Sequence, residues 1–245
     1  MSRSDSTFAR ISREPHRCQP GPGTGAPVRD CQFFARREAA DGTPHRRVAP
    51  CHGSADCVPG LDERYDQAAS ACEAHRHARI GHEIIHGFDD QGRKIDAIGR
   101  LHDWWTPADA KHFEQRAQQL AHQFDGYEVL PGLHVNGRQT LGENIADLGG
   151  LLVALDAYHA SLGAHPAPLL DGLSGDQRVF LGWAQRWRKK MREVALRDQI
   201  AMDVHAPAVI RTNAPLRDID DWYAAFDIRP SDKNYLPPTQ RVRIW

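Results

Sequence analysis

Apolar residues after residue 100 recur three and four positions apart, which is the spacing of one face of an α-helix. Thr106 and Pro107 are predicted to form an N-cap followed by a proline at the first helical position. Thr140 and Glu143 form a T-x-x-E capping box, and Ser174 can open a further helix. These starts lead into three apolar stripes: Phe113, Ala117, Leu120 and Phe124; Ile145, Leu148, Leu152 and Leu155; and Phe180, Ala184, Trp187 and Met191.

Two more helices are predicted at the ends of this region. Ser70 and Glu73 form an S-x-x-E capping box that could open a helix through residues 71–88, "ACEAHRHARIGHEIIHGF". A short helix over residues 218–226 precedes an extended, proline-bearing tail, "NYLPPTQRVRIW". The chain has no internal repeat, and the whole pattern predicts a mainly α fold.

Residues 1–69 lack this periodic order. They contain only five isoleucine, leucine or valine residues and are rich in arginine, proline, glycine and alanine. So few large aliphatic side chains cannot bury enough surface to offset the entropy lost on ordering the chain. We therefore expect residues 1–69 to be mostly disordered.

The net charge of the chain bears on whether it binds nucleic acid or a membrane. A net charge of −1 indicates neither a nucleic-acid partner nor an anionic membrane surface. No apolar run approaches the length that spans a bilayer, so no membrane segment is expected. The first residues, "MSRSDSTFARISREPH", lack the apolar core of a signal peptide. A leader whose arginines contact an acidic partner is a weaker alternative, and the oligomeric state stays undetermined.

The cysteines all precede His82, and their spacing matches no zinc ribbon or disulfide framework. A metal site formed by Cys51, His52 and Cys57 is conceivable on spacing alone. Unpaired thiols are the preferred interpretation. The five residues are Cys18, Cys31, Cys51, Cys57 and Cys72.

The segment "GHEIIHG" holds two histidines four residues apart, with Glu83 directly after the first. Four residues of α-helix turn the chain through about 400°, so His82 and His86 point the same way and can reach one Zn²⁺. Glu83 lies about 100° round the helix, where it can touch a metal-bound water. In a chain with 14 histidines this motif also arises by chance, so the motif by itself only suggests a site.

A third ligand would strengthen the metal hypothesis, because catalytic zinc sites typically combine two histidines with a carboxylate. The segment "TLGENIADLGG" offers Glu143 and Asp147, four residues apart on a predicted helix. The structural alternative is that the Glu143 side chain accepts a hydrogen bond from the Thr140 backbone amide in the capping box. Asp147 would then be a solvated charge in the first turn of the helix.

Several separated motifs together resemble the catalytic region of the neprilysin family of zinc metalloendopeptidases, which includes endothelin-converting enzymes and bacterial oligopeptidases. They are "IGHEIIHGFDDQGRKID", "WWT", "VNGRQTLGENIADLGGL", "DVHAPAVIRTN" and "DKNYLPPTQRVRIW", in this order. The resemblance runs from about residue 80 to residue 245. It implies a thermolysin-like zincin (gluzincin) fold, one Zn²⁺ per chain, and hydrolysis of peptide bonds in oligopeptide substrates by residues 79–245.

The resemblance also implies a role for each residue of the two helical motifs. His82 and His86 resemble the zinc-binding histidines, and Glu143 resembles the third zinc ligand. Glu83 resembles the general base. Asp147 resembles the carboxylate that hydrogen-bonds the first histidine ligand, an arrangement that fixes the tautomer and raises ligand basicity.

Three residues of "DVHAPAVIRTN" complete the implied site. His205 resembles the histidine that stabilises the tetrahedral intermediate, and Asp203 resembles the carboxylate that orients this histidine. Arg211 resembles the arginine that binds a backbone carbonyl of the substrate. The structural alternatives are that His205 caps a turn and that Arg211 is a surface charge.

The chain departs from the resemblance upstream of the histidine motif. Members of the family carry a large helical lobe over the active site and an Asn-Ala-Tyr-Tyr strand that holds the substrate backbone. No such string precedes His82, and we expect no such lobe in these residues. The point at which the resemblance stops predicts that residues 1–78 are a disordered or non-native leader and that residues 79–245 are the catalytic domain. One hypothesis is that residues 1–78 are out-of-frame translation, which reading the coding DNA in the other two frames would test. Two readings of function follow: an active zinc endopeptidase, or a truncated and inactive relic that binds zinc.

Overall fold

The computed structural model describes residues 77–245, and within them the fold is mainly helical, as predicted. Strands β1 (Glu128–Leu130) and β2 (Leu133–His134) form a small antiparallel hairpin. Short 3₁₀ turns span Gly92–Lys94, Pro215–Asp218 and Pro238–Gln240. The helices are α1 (residues 77–85), α2 (Pro107–Asp125), α3 (Leu141–Leu162), α4 (Gly175–Arg186), α5 (Glu193–Met202), α6 (Ala208–Asn213) and α7 (Asp220–Phe226).

Some of the sequence predictions concern residues outside the described range. The capping box of Ser70 and Glu73, all five cysteines and the expected nature of residues 1–76 belong to this group. The boundary between residues 78 and 79 therefore stays a prediction.

Helix α2 begins as predicted. The Thr106 side chain accepts a hydrogen bond from the Asp109 amide, and Pro107 occupies the first helical position. The whole predicted stripe is buried: Phe113, Ala117, Leu120 and Phe124.

Helix α3 also begins where predicted, but the capping box expected there is wrong. Thr140 Oγ1 donates to the Asn136 carbonyl at 3.0 Å and accepts from Asn144 Nδ2 at 2.8 Å, so it does not cap the helix. With its hydroxyl engaged by two other groups, Thr140 leaves Glu143 free to point elsewhere. Of the predicted stripe, Ile145, Leu148 and Leu155 are buried and Leu152 is partly buried.

Helix α4 opens on a full capping box between Ser174 and Gln177, and its buried face is shifted from the prediction. Trp183 is fully buried, and its indole donates to the Arg211 carbonyl at 3.1 Å, whereas Ala184 is only partly buried. The helix ends at Arg186, so the predicted core residue Met191 lies beyond it. The sequence reasoning also missed α5, α6 and the β-hairpin.

Helix α3 is the central helix of the core, and its length and apolarity alone would let it cross a membrane. This differs from the expectation that no segment has that length. Its most apolar window is 56% buried inside the protein, and it carries the buried polar residues Asn144 and Asp147. These polar side chains need partners within a folded core, and Asp147 finds them in His82 and Arg211.

The backbones of α1 and α3 meet at two glycines. A Cβ added to Gly150 would lie 2.4 Å from the His82 amide nitrogen and 2.6 Å from the Ala78 carbonyl. A Cβ added to Gly81 would lie 2.9 Å from the Gly150 carbonyl oxygen. Since real Cβ atoms do not approach backbone this closely, only glycine permits the two helices to cross at this distance.

The variant Gly150→Ala should therefore push α1 away from α3. We expect the free energy of unfolding to fall by about 1–3 kcal/mol, the usual cost of overpacking, despite the better helix propensity of alanine. Urea denaturation followed by circular dichroism measures this change. The matched control is Gly149→Ala, in which the new methyl meets the side-chain ends of Trp245 and Ile85 rather than backbone. Equal destabilisation by both substitutions would contradict the role of the glycine crossing.

Asp218 is a fully buried carboxyl at the end of a 3₁₀ turn. Its Oδ1 accepts hydrogen bonds from the Val242 amide at 2.7 Å and from Gln123 Nε2 at 3.1 Å. Its Oδ2 has no hydrogen-bond partner among residues 77–245. Burial raises the pKa of Asp218 from 3.8 to about 6, although these hydrogen bonds and the nearby charge of Arg243 act in the opposite direction.

This shift predicts a pH dependence of stability. The folded chain binds the Asp218 proton more tightly than the unfolded chain, so stability falls as the pH rises from about 4 to about 6 and the loss is complete above that. An asparagine side chain does not titrate, so this loss is absent in Asp218→Asn. The stability of the variant relative to wild type should therefore be about 2 kcal/mol higher at pH 7 than at pH 4. Urea denaturation of both proteins at the two pH values, in the presence of a chelator, measures this difference. A gain independent of pH would contradict the assignment.

Candidate metal centre

Helices α1 and α3 bring His82, His86 and Glu143 together, as the sequence predicts. The His86 amide bonds the His82 carbonyl at 3.2 Å, which keeps the two imidazoles one helical turn apart although α1 ends at residue 85. Their Nε2 atoms lie 3.1 Å from each other. Glu143 Oε2 lies 3.3 Å from His82 Nε2, and Glu143 Oε1 lies 3.4 Å from His86 Nε2.

These distances fit a tetrahedral cation site. Ligand atoms at 2.0–2.1 Å from a tetrahedral Zn²⁺ are about 3.3–3.4 Å apart, close to the spacing seen here. The three side chains also form a group that could hold a metal ion by the proximity of their ligand atoms. Two imidazoles with one carboxylate are a donor set that suits zinc.

Two buried aspartates contact the remote nitrogens of the imidazoles. Asp147 Oδ1 lies 2.9 Å from His82 Nδ1, and Asp89 Oδ2 lies 2.8 Å from His86 Nδ1. Asp147 is 1% exposed, so the alternative of a solvated charge in the first turn of α3 is wrong. The sequence reasoning missed Asp89, which a search for carboxylates three residues after each histidine would have found.

The carboxylates set the charge of the imidazoles and of one another. Burial by itself lowers the pKa of His82, but hydrogen bonds and charges from Asp147 and Glu143 outweigh it and raise that pKa to about 9. Burial acts to raise the pKa of Glu143, yet the hydrogen bond from His82 and the charges of His205 and Arg211 lower it. Glu143 is therefore an ionised carboxylate, the form in which it can bind a cation.

Arg211 from α6 is buried beneath this group, so the alternative of a surface charge is wrong. Its Nε and Nη2 donate to the two oxygens of Asp147 at 2.6 and 2.7 Å, and Nη2 also donates to Glu143 Oε2 at 3.2 Å. The guanidinium lies over the Trp187 ring, 4.1 Å from its centre. This bidentate pair holds the Asp147 carboxylate in its orientation toward His82.

His205 follows α5 and reaches the same carboxylate from the other side. Its Nε2 lies 3.2 Å from Glu143 Oε2, while its Nδ1 lies 2.7 Å from Asp203 Oδ1. Burial acts to raise the pKa of Asp203, but hydrogen bonds from His205 lower it, so Asp203 is ionised. Gln139 and Gln199, which the sequence reasoning missed, donate to the carbonyls of Asp203 and His205 and hold this loop.

Glu83 differs from the other predicted site residues, because its side chain makes no hydrogen bond to any other described residue. It is exposed on α1, directly after His82, and its charge is felt by the guanidinium of Arg186 at the end of α4. The described residues thus place the other predicted residues in one contact network and leave Glu83 open to solvent at its edge.

Known proteins are similar to this chain over about two thirds of its length. The neutral endopeptidase of Lactobacillus helveticus is 40% identical over 168 residues, which are 69% of this chain and 24% of that protein. Human neprilysin is 38% identical over 171 residues, which are 68% of this chain and 22% of neprilysin. The chain thus spans about a quarter of the length of the relatives it matches.

Solved structures agree with the sequence relatives. A crystal structure of the Mycobacterium tuberculosis zinc metalloprotease Zmp1 in complex with an inhibitor has a TM-score of 0.70 and 47% identity, covering 77% of this chain and 29% of Zmp1. The PepO structure from Lactobacillus rhamnosis has a TM-score of 0.65 and 37% identity, covering 80% of this chain and 28% of PepO. The sequence profile of peptidase family M13 matches residues 62–242. This chain therefore belongs to peptidase family M13.

Proposed function

We propose that the chain is a zinc-dependent metalloendopeptidase that hydrolyses peptide bonds of oligopeptides. The observation that carries the proposal is the convergence of His82, His86 and Glu143, whose ligand atoms are 3.1–3.4 Å apart. Membership of a peptidase family supports the reaction class.

In this proposal, His82, His86 and Glu143 hold one Zn²⁺, and Asp147 and Asp89 fix the two imidazoles from behind. Zinc bound there supplies Lewis acidity, which lowers the pKa of a water molecule and polarises a peptide carbonyl.

Glu83 acts as the general base that takes a proton from the attacking water and delivers it to the leaving amine. Its exposure suits this role, because a carboxylate without an internal partner keeps its lone pairs available for the water. Its position next to His82 on α1 keeps it beside the ligands and outside their set.

His205 donates a hydrogen bond to the oxyanion that develops on the substrate carbonyl, and Asp203 holds its imidazole through Nδ1. Arg211 Nη1 has no partner among the described residues, so this nitrogen is available to a substrate carbonyl while Nε and Nη2 hold Asp147. In this proposal the Arg211 guanidinium donates to Asp147 through Nε and Nη2 and to the substrate carbonyl through Nη1.

A second candidate function is an inactive relic that binds zinc. The observation that favours it is the apolar surface beside the general base. Exposed Ile80 and Ile84 flank Glu83 on α1, so the apolar surface beside the general base is uncovered within the described residues.

Elemental analysis combined with cleavage of a quenched fluorescent peptide separates the two candidates. We expect one zinc per chain, and Glu83→Gln should keep that zinc while kcat/KM falls at least about a hundredfold, the usual contribution of a general base. The matched control is Glu193→Gln, which makes the same change in the first turn of α5 at an exposed ion pair. This variant should retain wild-type activity.

Other outcomes decide against the proposal. One zinc per chain without any cleavage would support the relic. A wild-type chain without zinc would overturn the assignment of the three ligands, and so would zinc retained by the double variant His82→Ala/His86→Ala.

A further inference from the structure

The Trp187 indole lies against two guanidinium groups beside the candidate metal centre. The Arg211 Cζ atom is 4.1 Å from the centre of the ring, and the Arg186 Cζ atom is 4.8 Å from it. The two Cζ atoms are therefore within about 9 Å of each other, since both distances start from the same ring centre. Arg211 also bonds Glu143, so Arg186 approaches the site through this ring.

The two arginines differ in their charge partners. Arg211 is neutralised by Asp147 and Glu143. Arg186 has an exposed side chain and no ion pair among the described residues. The guanidinium of Arg186 is therefore an exposed cation near the site without a direct ion pair among the described residues, although the charges of Asp147 and Glu83 act on it from a distance.

Further cations follow Arg186 along the chain. The segment "RWRKKMR", residues 186–192, carries five basic side chains and no acidic one, although the chain as a whole has a net charge of −1. Residues 187–192 join α4 to α5 and contain the same Trp187 that contacts Arg211. This basic segment, residues 186–192, thus begins beside the site.

We infer that Arg186 is a specificity residue, and that the proposed peptidase prefers substrates with an aspartate or glutamate side chain close to the cleaved bond. This inference rests on the proposed function and adds the chemical class of the preferred substrate.

The physical reason is that a carboxylate on the substrate supplies the counter-charge that Arg186 lacks. The Trp187 ring contacts Arg186 and also Arg211, which bonds Glu143, so a peptide held at the ligand group passes near the Arg186 guanidinium. Stacking on Trp187 limits the motion of the guanidinium and presents its edge for hydrogen bonding. The basic segment adds a field that attracts acidic peptides to the same side.

The test uses pairs of quenched fluorescent peptides that differ only in glutamate against glutamine, placed in turn at the two positions on either side of the cleaved bond. Mass spectrometry of the products establishes that one bond is cut in both members of a pair. At low ionic strength we expect the glutamate peptide to have a kcat/KM about fivefold higher at one or more positions, as a single partly exposed charge pair would give.

Arg186→Gln should reduce the ratio of kcat/KM for the glutamate peptide over the glutamine peptide to about one. Arg186→Glu should reverse the preference. The control is Arg116→Gln, the same loss of charge at a partly buried position of α2, which should keep the preference. Raising the salt concentration should reduce the preference of the wild type.

Two failures are distinguishable. Cleavage of both peptides with equal kcat/KM at every position, or a preference that persists in Arg186→Gln, would overturn the inference and leave the proposed function in place. If the zinc-loaded wild type cleaves no peptide, the proposed function fails and the inference fails with it.

Discussion

The close backbone contact of α1 with α3 at Gly81 and Gly150 is the constraint on which the site depends. His82 is the residue that directly follows Gly81, and Glu143 lies two helical turns before Gly150 on the same helix. If a methyl group separated the two helices, the imidazole nitrogens would move away from the Glu143 oxygens, which now lie 3.3–3.4 Å from them. The three ligand atoms would then be too far apart to share one cation. Two residues without side chains therefore fix the geometry of the three that have ligand atoms.

The buried face of α3 carries two carboxylates, Glu143 and Asp147, whose removal from water is unfavourable. Leaving them unpaired would cost several kcal/mol for each charge. The guanidinium of Arg211 bonds both carboxylates, and the imidazole of His82 lies against both as well. The resulting network binds α1, α3 and α6 to one another through charged side chains, in addition to the apolar core that surrounds them. Its members hold each other in the orientation that a cation at His82, His86 and Glu143 requires.

Local signals in the sequence predicted those parts of the fold in which a residue interacts with near neighbours along the chain. The N-cap of α2 depends on Thr106, Pro107 and a backbone amide within the same turn, so it was predictable. The capping box at Thr140 failed because Asn136 and Asn144, which also lie nearby, compete for the same hydroxyl. Short elements such as the β1–β2 hairpin and α6 were missed, because their few residues show no periodic pattern and their stability comes from packing against the rest of the core.

The sequence alone determined the helical class and the motifs that resemble a peptidase family. It also determined the four-residue spacing of the two histidines and of Glu143 and Asp147. Each of these features depends only on the order of residues along one helix or one loop. Only the tertiary structure decided that Arg211 is buried under Asp147, that Asp89 contacts His86, and that Trp187 joins Arg186 to the site. These contacts join residues from separate elements or depend on how a turn closes after α1. Side-chain type and spacing do not specify which distant elements meet; the packing of the glycine crossing and the pairing of buried charges do.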